Sequence, residues 1–330
     1  MQNLLPGTII KHHIESSGAP PPGEKTTGKK EVALASLVLN VPYGGVFVPP
    51  LVERRLGLSL EEIGWENFRL ADPCLLQVIG AAAEKGVVKG FLGEKSLPER
   101  RLVAYKYSPL VADPLGFLSG ALNGTEEGGR FINRGSTGKD FPPWPPEAEA
   151  GILKKSALPY LEELKKASLE LLDRDTLVLI LTLRSYSSRP WDYESDRRYP
   201  RPQVCVGSAG DGKSPAGLLS FIGRAFRTFN IWPEPDWPHR GVHVPESLGE
   251  SPRLFAAALS FRRDLYMDES TGRLIKGYGS LVRVLRTIFS LLEEELETVL
   301  KIRYRRKHPP KPPSMIVKAG SANPRGAPGA

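Results

Sequence analysis

The sequence predicts an α/β protein, a three-layer αβα arrangement around a mixed, mostly parallel sheet. Three observations carry that expectation. Short apolar, β-branched runs are bounded by chain breakers, and helical periodicity fills the intervals between them. The chain has 330 residues, 40% of them apolar, enough to cover both faces of such a sheet.

Taken in order, Ser36–Val41 (SLVLNV) is too apolar for a half-exposed strand and reads as a fully buried one. Leu158, Leu161, Leu164, Leu171 and Leu172 recur at helical spacing and mark one face of a helix. It leads into residues 176–183 (TLVLILTL), the longest β-branched apolar run and the best strand candidate. Residues 203–207 (QVCVG) and 254–261 (LFAAALSF) are further strands, with a helix expected over 216–229 between them. The strongest helix is the last, where Leu281, Leu285, Ile288, Leu292, Leu296 and Val299 repeat at steps of three and four.

A single α/β domain over residues 31–306 is expected, between flexible tails at 1–30 and 307–330. Both ends are poor in large apolar side chains and rich in Pro, Gly and Lys, so ordering them would not repay chain entropy. With 33 Gly and 31 Pro, the domain must also be rich in turns. The Gly- and Pro-rich stretch 120–146 is a long connection of the kind that is functional or disordered. Residues 185–202 (SYSSRPWDYESDRRYPRP) leave the carboxyl end of the best strand, where open α/β sheets place their sites.

Several function classes are excluded or disfavoured. Apolar runs stop well short of the ~20 residues that cross a bilayer, and the amino end has no secretory apolar core, which points to the cytoplasm. Cys74 and Cys205 cannot build a disulfide framework or a Cys-rich metal site and read as buried thiols. The net charge is +8, with a basic cluster from Lys301 to Lys311. That cluster complements the carboxyl end of the last helix, and no nucleic-acid motif accompanies it, so neither nucleic acid nor membrane is an expected partner.

Gly207-x-x-x-x-Gly212-Lys213-Ser214 matches a phosphate loop literally. Pro215 after the Ser and the lack of an acidic strand end argue for a simple anion-binding turn instead. His239 and His243 are four apart, but Pro238, Gly241 and Pro245 oppose the helix that would make them a chelate, so they read as a pocket-rim loop. Ser185 lacks the elbow of a serine hydrolase.

Five segments, in matching order over about residues 37–285, resemble the N-formylglutamate amidohydrolase family. They are LVLNVPYGGVFVPP; LADPCLLQVIGAAAEKG with VAYKYSPLVADPLG; GGRFINRGSTGKDF with ILKKSALPYLEEL; TLVLILTLRSYSSRP; and VGSAGDGKSP through PHRGVHVPESLG to LSFRRDLYMDE. The closing RRDLYMDE is the most specific of them. The resemblance implies a fold related to the zinc carboxypeptidases and hydrolysis of N-formyl or N-acyl amino acids with a catalytic zinc.

This chain departs from the family at the positions where the resemblance implies metal ligands. Pro42-Tyr43-Gly44-Gly45 stands where the family has Pro-His-Ser-Gly, and Thr182-Leu183-Arg184-Ser185 where it has Asp-x-His-Ser. Leu161 replaces the His of a Pro-Tyr-His motif, and Ser260 the Glu before RRDLYMDE. A zinc site needs about three imidazole, thiolate or carboxylate ligands, and a guanidinium offers none. No cofactor is therefore expected.

The resemblance leaves Asp72 and Asp113 as retained candidate catalytic carboxylates. Tyr43, Gly44, Arg184, Ser185, Gly207, Gly241, Arg262, Arg263 and Tyr266 are the candidate substrate-binding residues. Two functions follow: family-level amide hydrolysis, or a non-catalytic relative that binds a small carboxylated or N-acyl amino-acid ligand, or a protein partner, through an arginine-containing pocket.

Overall fold

The computed structural model describes residues 35–84, 99–115, 131–132, 134–173, 177–191, 194, 196–209, 212–242 and 244–307. The expected tail at 1–30 lies outside these residues, as do positions 308–330 of the one expected at 307–330, Thr176, His243 and positions 120–130 of the long connection, while Lys307 ends the last helix rather than opening a tail.

Six strands among the described residues form one sheet. They are β1 (Ser36–Val41), β2 (Arg100–Ala104), β3 (Val178–Tyr186), β4 (Val204–Gly207), β5 (Glu234–Pro235) and β6 (Leu254–Arg262), in the order β2-β1-β3-β6-β4-β5. The first four in that order run parallel, while β4 pairs antiparallel to β6 and β5 parallel to β4. The sheet is thus mixed and mostly parallel, as its apolar strands predict.

Seven α-helices accompany it among the described residues: α1 (Pro50–Leu56), α2 (Leu60–Leu70), α3 (Pro73–Ala83), α4 (Pro146–Lys155), α5 (Ala157–Leu172), α6 (Ala216–Arg227) and α7 (Gly277–Lys307). None of the described helices is long and apolar enough to cross a membrane. Alternation along the strands sends side chains to two faces. Leu37, Leu39, Leu181, Leu183, Leu259 and Phe261 pack with α3, α6 and α7, whereas Val38, Ile180, Ala256 and Leu254 pack with α5. A third cluster joins Val52, Ile63, Val111, Phe141, Trp144 and Leu153 beside the sheet.

Sequence and structure differ in detail. Of the expected face Leu164, Leu171 and Leu172 are buried, whereas Leu158 is exposed and Leu161 half-buried; Tyr160, Ala167 and Ser168 complete the inward face of α5, which lies partly on small and polar residues. β2 and α1 to α3 were not separated as elements by periodicity. β2 (RRLVA) carries arginines where an apolar run is expected; the Arg100 side chain is covered all the same, because Glu293 of α7 takes its guanidinium through Nε and Nη2, both at 2.9 Å.

Candidate functional site

The face of the sheet that meets α5 changes character along its length. Its amino half is apolar, with Val38, Val178, Ile180, Leu254 and Ala256, and its carboxyl half carries Asn40, Thr182, Arg184 and Ser260, all buried. Register brings these polar residues abreast: Asn40 lies beside Thr182 and Arg184 beside Ser260. Buried polar groups need partners, and here they find each other. Asn40 donates to Thr182 Oγ1 at 3.2 Å and accepts a short hydrogen bond from the hydroxyl of Tyr160 on α5.

Arg184 is the charged member of this row. Its Nε donates to Ser260 Oγ (3.1 Å), and its Nη2 donates to the carbonyls of Arg240 (2.7 Å) and Gly241 (2.8 Å). Those acceptors are neutral, and no carboxylate forms an ion pair with Arg184 among the described residues. Burial lowers its proton affinity, opposed by the fields of Tyr43, Cys205, Asp113 and Asp236. Gly207 lets β4 pack closely on β6, since a Cβ there would lie 3.0 Å from that of Ala258 and 3.3 Å from the Gly241 carbonyl oxygen, while Arg184 Nη2 would stay in ordinary contact at 3.7 Å.

Beyond the end of β1, Tyr43 donates its hydroxyl hydrogen to Asp113 Oδ1 at 2.9 Å. Burial and the neighbouring Asp113 raise the Tyr43 phenol well above its ordinary value, so it holds its proton. Asp113 also accepts from the Leu115 backbone N–H (2.9 Å). His239, on the same carboxyl side, packs edge-on against Tyr186 with ring centroids 5.4 Å apart. Burial, then Arg184, Arg201 and Arg263, hold its imidazole well below the ordinary range and therefore neutral.

The remaining candidates form a second group on the opposite face. Asp72 is the N-cap of α3, accepting from the Leu75 N–H at 2.7 Å and, in a short hydrogen bond, from the Tyr266 hydroxyl. Arg263 lies 3.7 Å from Asp72 and donates to Ser185 Oγ (2.9 Å) and to the carbonyls of Phe68, Arg69 and Ala71 that end α2. A guanidinium over a helix's last carbonyls is a capping arrangement. Asp72, Ser185, Arg263 and Tyr266 thus tie α2, α3, β3 and the segment after β6 together. Arg262 stands apart, paired with Asp264 at 2.8 Å.

Gly44 and Gly45 serve a turn. A Cβ on Gly45 would fall 2.1 Å from the Lys106 carbonyl carbon, so only glycine lets the 42–47 segment press on the end of β2. The chain leaves β1 toward the α3 face and β2 toward the α5 face, and such divergence opens a crevice at the strands' carboxyl ends. A cavity of about 700 Å3 lies there, lined by Gly44, Gly45, Phe47, Ile63, Tyr105 and Lys106.

The residues present do not suit zinc. Arg184 is a cation and a pure donor, Ser260 and Tyr43 are weak ligands, and among the described residues no three His, Cys, Asp or Glu side chains converge. The phosphate-loop spacing is also accounted for locally. Lys213 Nζ donates to the Ser251 carbonyl (2.7 Å), and Ser214 Oγ bridges the Ala209 N–H (2.7 Å) and the Ala256 carbonyl (2.5 Å).

Asn40, Tyr160, Thr182 and Ser260 complete the polar row and were not among the candidate site residues. Two of them carried a signal, because Asn40 and Thr182 are the polar interruptions of otherwise apolar buried strands.

Comparison with known proteins agrees with this architecture. The family model described as N-formylglutamate amidohydrolase matches residues 35–267. The chain is similar to the crystal structure of N-formylglutamate amidohydrolase from Ralstonia eutropha JMP134, with 19% identity and a TM-score of 0.60 over 84% of this chain and 96% of that one. It is also similar to the gene product Atu2144 from Agrobacterium tumefaciens, with 16% identity and a TM-score of 0.54 over 78% of this chain and 92% of that one. No curated protein matches it.

Proposed function

This chain belongs to the N-formylglutamate amidohydrolase family, and from that premise we propose that it binds the carboxylate of a small N-acyl or otherwise carboxylated ligand at Arg184 without hydrolysing it through zinc. One observation carries the reading. Arg184 is a buried guanidinium whose hydrogen bonds run to Ser260, Arg240 and Gly241, three neutral acceptors.

A buried cation without a counter-charge costs several kcal/mol unless something compensates it. An incoming carboxylate would supply that charge, and charge-assisted hydrogen bonds are about twice as strong as neutral ones. Nε and Nη2 are committed, which leaves Nη1 for the ligand. Tyr43, held protonated, can offer its O–H to the same anion if it releases Asp113.

The test is ligand-dependent thermal stability together with turnover. With N-formylglutamate, glutamate and acetate as probes, saturable stabilisation of the wild type that Arg184→Met abolishes is the expected result; at a hundred times Kd it amounts to about 2.7 kcal/mol. No hydrolysis of N-formylglutamate is expected before or after zinc addition. About one zinc per chain with chelator-sensitive turnover would overturn this reading and restore the family's hydrolysis to this chain.

A further inference from the structure

On the α3 side of the β3 carboxyl end lies a second cavity, of about 250 Å3, lined by Phe68, Arg69, Ser187, Ser188, Arg189, Pro190, Trp191, Arg263 and Glu269. The Arg184 row does not line it. Its charged lining is three guanidiniums and one carboxylate.

Two of these charges are already satisfied. Arg263 lies against Asp72 and the end of α2, and Glu269 accepts both the backbone N–H (2.7 Å) and the hydroxyl (2.9 Å) of Ser188. The other two are not. Among the described residues the Arg69 side chain donates one hydrogen bond, to Ser136 Oγ at 3.1 Å, the Arg189 guanidinium donates none, and neither forms an ion pair. Each guanidinium carries five N–H groups, so the unspent capacity of the cavity is almost entirely donor.

Aromatic rings flank these donors. The Arg69 guanidinium lies 6.0 Å from the ring centroid of Trp65 and 5.9 Å from that of Trp191, and Arg189 lies 6.0 Å from Tyr199. Trp191, Phe68 and Pro190 give the cavity its apolar wall.

The walls are fixed before any ligand arrives. The Ser187 carbonyl and hydroxyl both accept from Arg201 Nη1 at 3.3 Å, Ser188 is held by Glu269, and the Trp191 N–H donates to Glu194 at 2.9 Å. Preorganisation of this kind lowers the ordering cost of binding.

We propose that this cavity is a binding site for a small carboxylate with an apolar or aromatic body, its anionic end on Arg69 and Arg189 and its body against Trp191 and Phe68. The volume falls just below the ~300–1,000 Å3 usual for drug-sized ligands, which limits the body to about one ring. This inference stands independently of the Arg184 reading, since it uses other side chains.

Isothermal titration of the full chain with benzoate, acetate and inorganic phosphate tests it, in the wild type and in Arg69→Gln, Arg189→Gln and Arg184→Met. The expected result is saturable benzoate binding that Arg69→Gln weakens tenfold or more, Arg189→Gln weakens several-fold, and Arg184→Met leaves unchanged. Acetate should bind at least tenfold more weakly than benzoate.

Arg189 is exposed and structurally uncommitted, so its variant keeps the test decisive if Arg69→Gln fails to fold. Loss of benzoate binding in Arg184→Met alone would place the ligand in the other site and overturn the proposal. Phosphate binding as tightly as benzoate would overturn the role of the apolar wall, and absence of saturable benzoate binding in the wild type would overturn the site itself.

Discussion

Burial and neighbouring charges shift the proton affinities of single side chains on the carboxyl side of this sheet, and His239 is the simplest to test. Its imidazole stays neutral when folded because burial and three arginines oppose protonation, whereas in the unfolded chain it titrates near pH 6.5. The unfolded state therefore binds the extra proton first. This residue contributes no pH dependence above pH 6.5, and as pH falls below that value stability drops by up to about 1.4 kcal/mol per pH unit. Urea melts at pH 7.5, 6.0 and 5.0 should show this slope, and His239→Gln should flatten it. An unchanged slope in the variant would mean that other groups dominate acid destabilisation.

Gly45 makes a sharper prediction, since its position tolerates no Cβ against the backbone of Tyr105 and Lys106. Gly45→Ala should cost about 4 kcal/mol or more, in the range of severe core lesions, read as a shift in the urea midpoint. Arg184→Met, by contrast, removes a buried unpaired cation but leaves the Arg240 and Gly241 carbonyls without their donor. These terms oppose one another, and a net change within about 1 kcal/mol is expected.

At the level of elements, the Arg100–Glu293 pair joins edge strand β2 to the long helix α7, with both side chains 5% exposed. Breaking such a pair from one side is far worse than replacing both partners. Glu293→Leu should destabilise by about 3–5 kcal/mol, and Arg100→Leu combined with it should recover most of that loss, measured by equilibrium unfolding. Additive losses in the double variant would show that the pair is not the clamp.

The same pair explains why β2 was illegible in the sequence. Strand patterns are read from apolar runs, and RRLVA has none: it is a half-exposed edge strand in which only Val103 is fully buried, and the Arg100 side chain is covered through a partner 193 positions away. β1 and the core of β3 were legible because every one of their apolar side chains points into one packed layer or the other. The site was legible in part for a related reason. Arg184, Tyr43, Gly207 and Gly241 converge in space, whereas the side chains of Asp72, Ser185, Arg263 and Tyr266 gather on the α3 side, joined to the first set where the Tyr43 carbonyl accepts from the Asp72 N–H at 2.6 Å. Order along a chain does not report on which face a side chain emerges.

For the whole molecule, the fold and the chemistry at its usual site separate. The family's architecture extends over residues 35–267, while the carboxyl ends of its strands carry tyrosine, arginine and serine. One consequence concerns metal removal: adding zinc or a chelator should leave the melting temperature unchanged to within about 1 °C, because no side-chain set described here would couple metal binding to folding. A saturable zinc-dependent rise, read by calorimetry, would show that donors from elsewhere in the chain assemble a site.

The far margin of the sheet carries a last implication. β5 is only Glu234–Pro235, both residues exposed. A two-residue border offers a passing strand almost no ladder to extend, proline supplies no N–H, and the glutamate adds a charge. Growth of the sheet from molecule to molecule, the first step toward fibrous aggregates, is blocked on that side by the shape of the border itself, whatever the apolar content of the strands behind it.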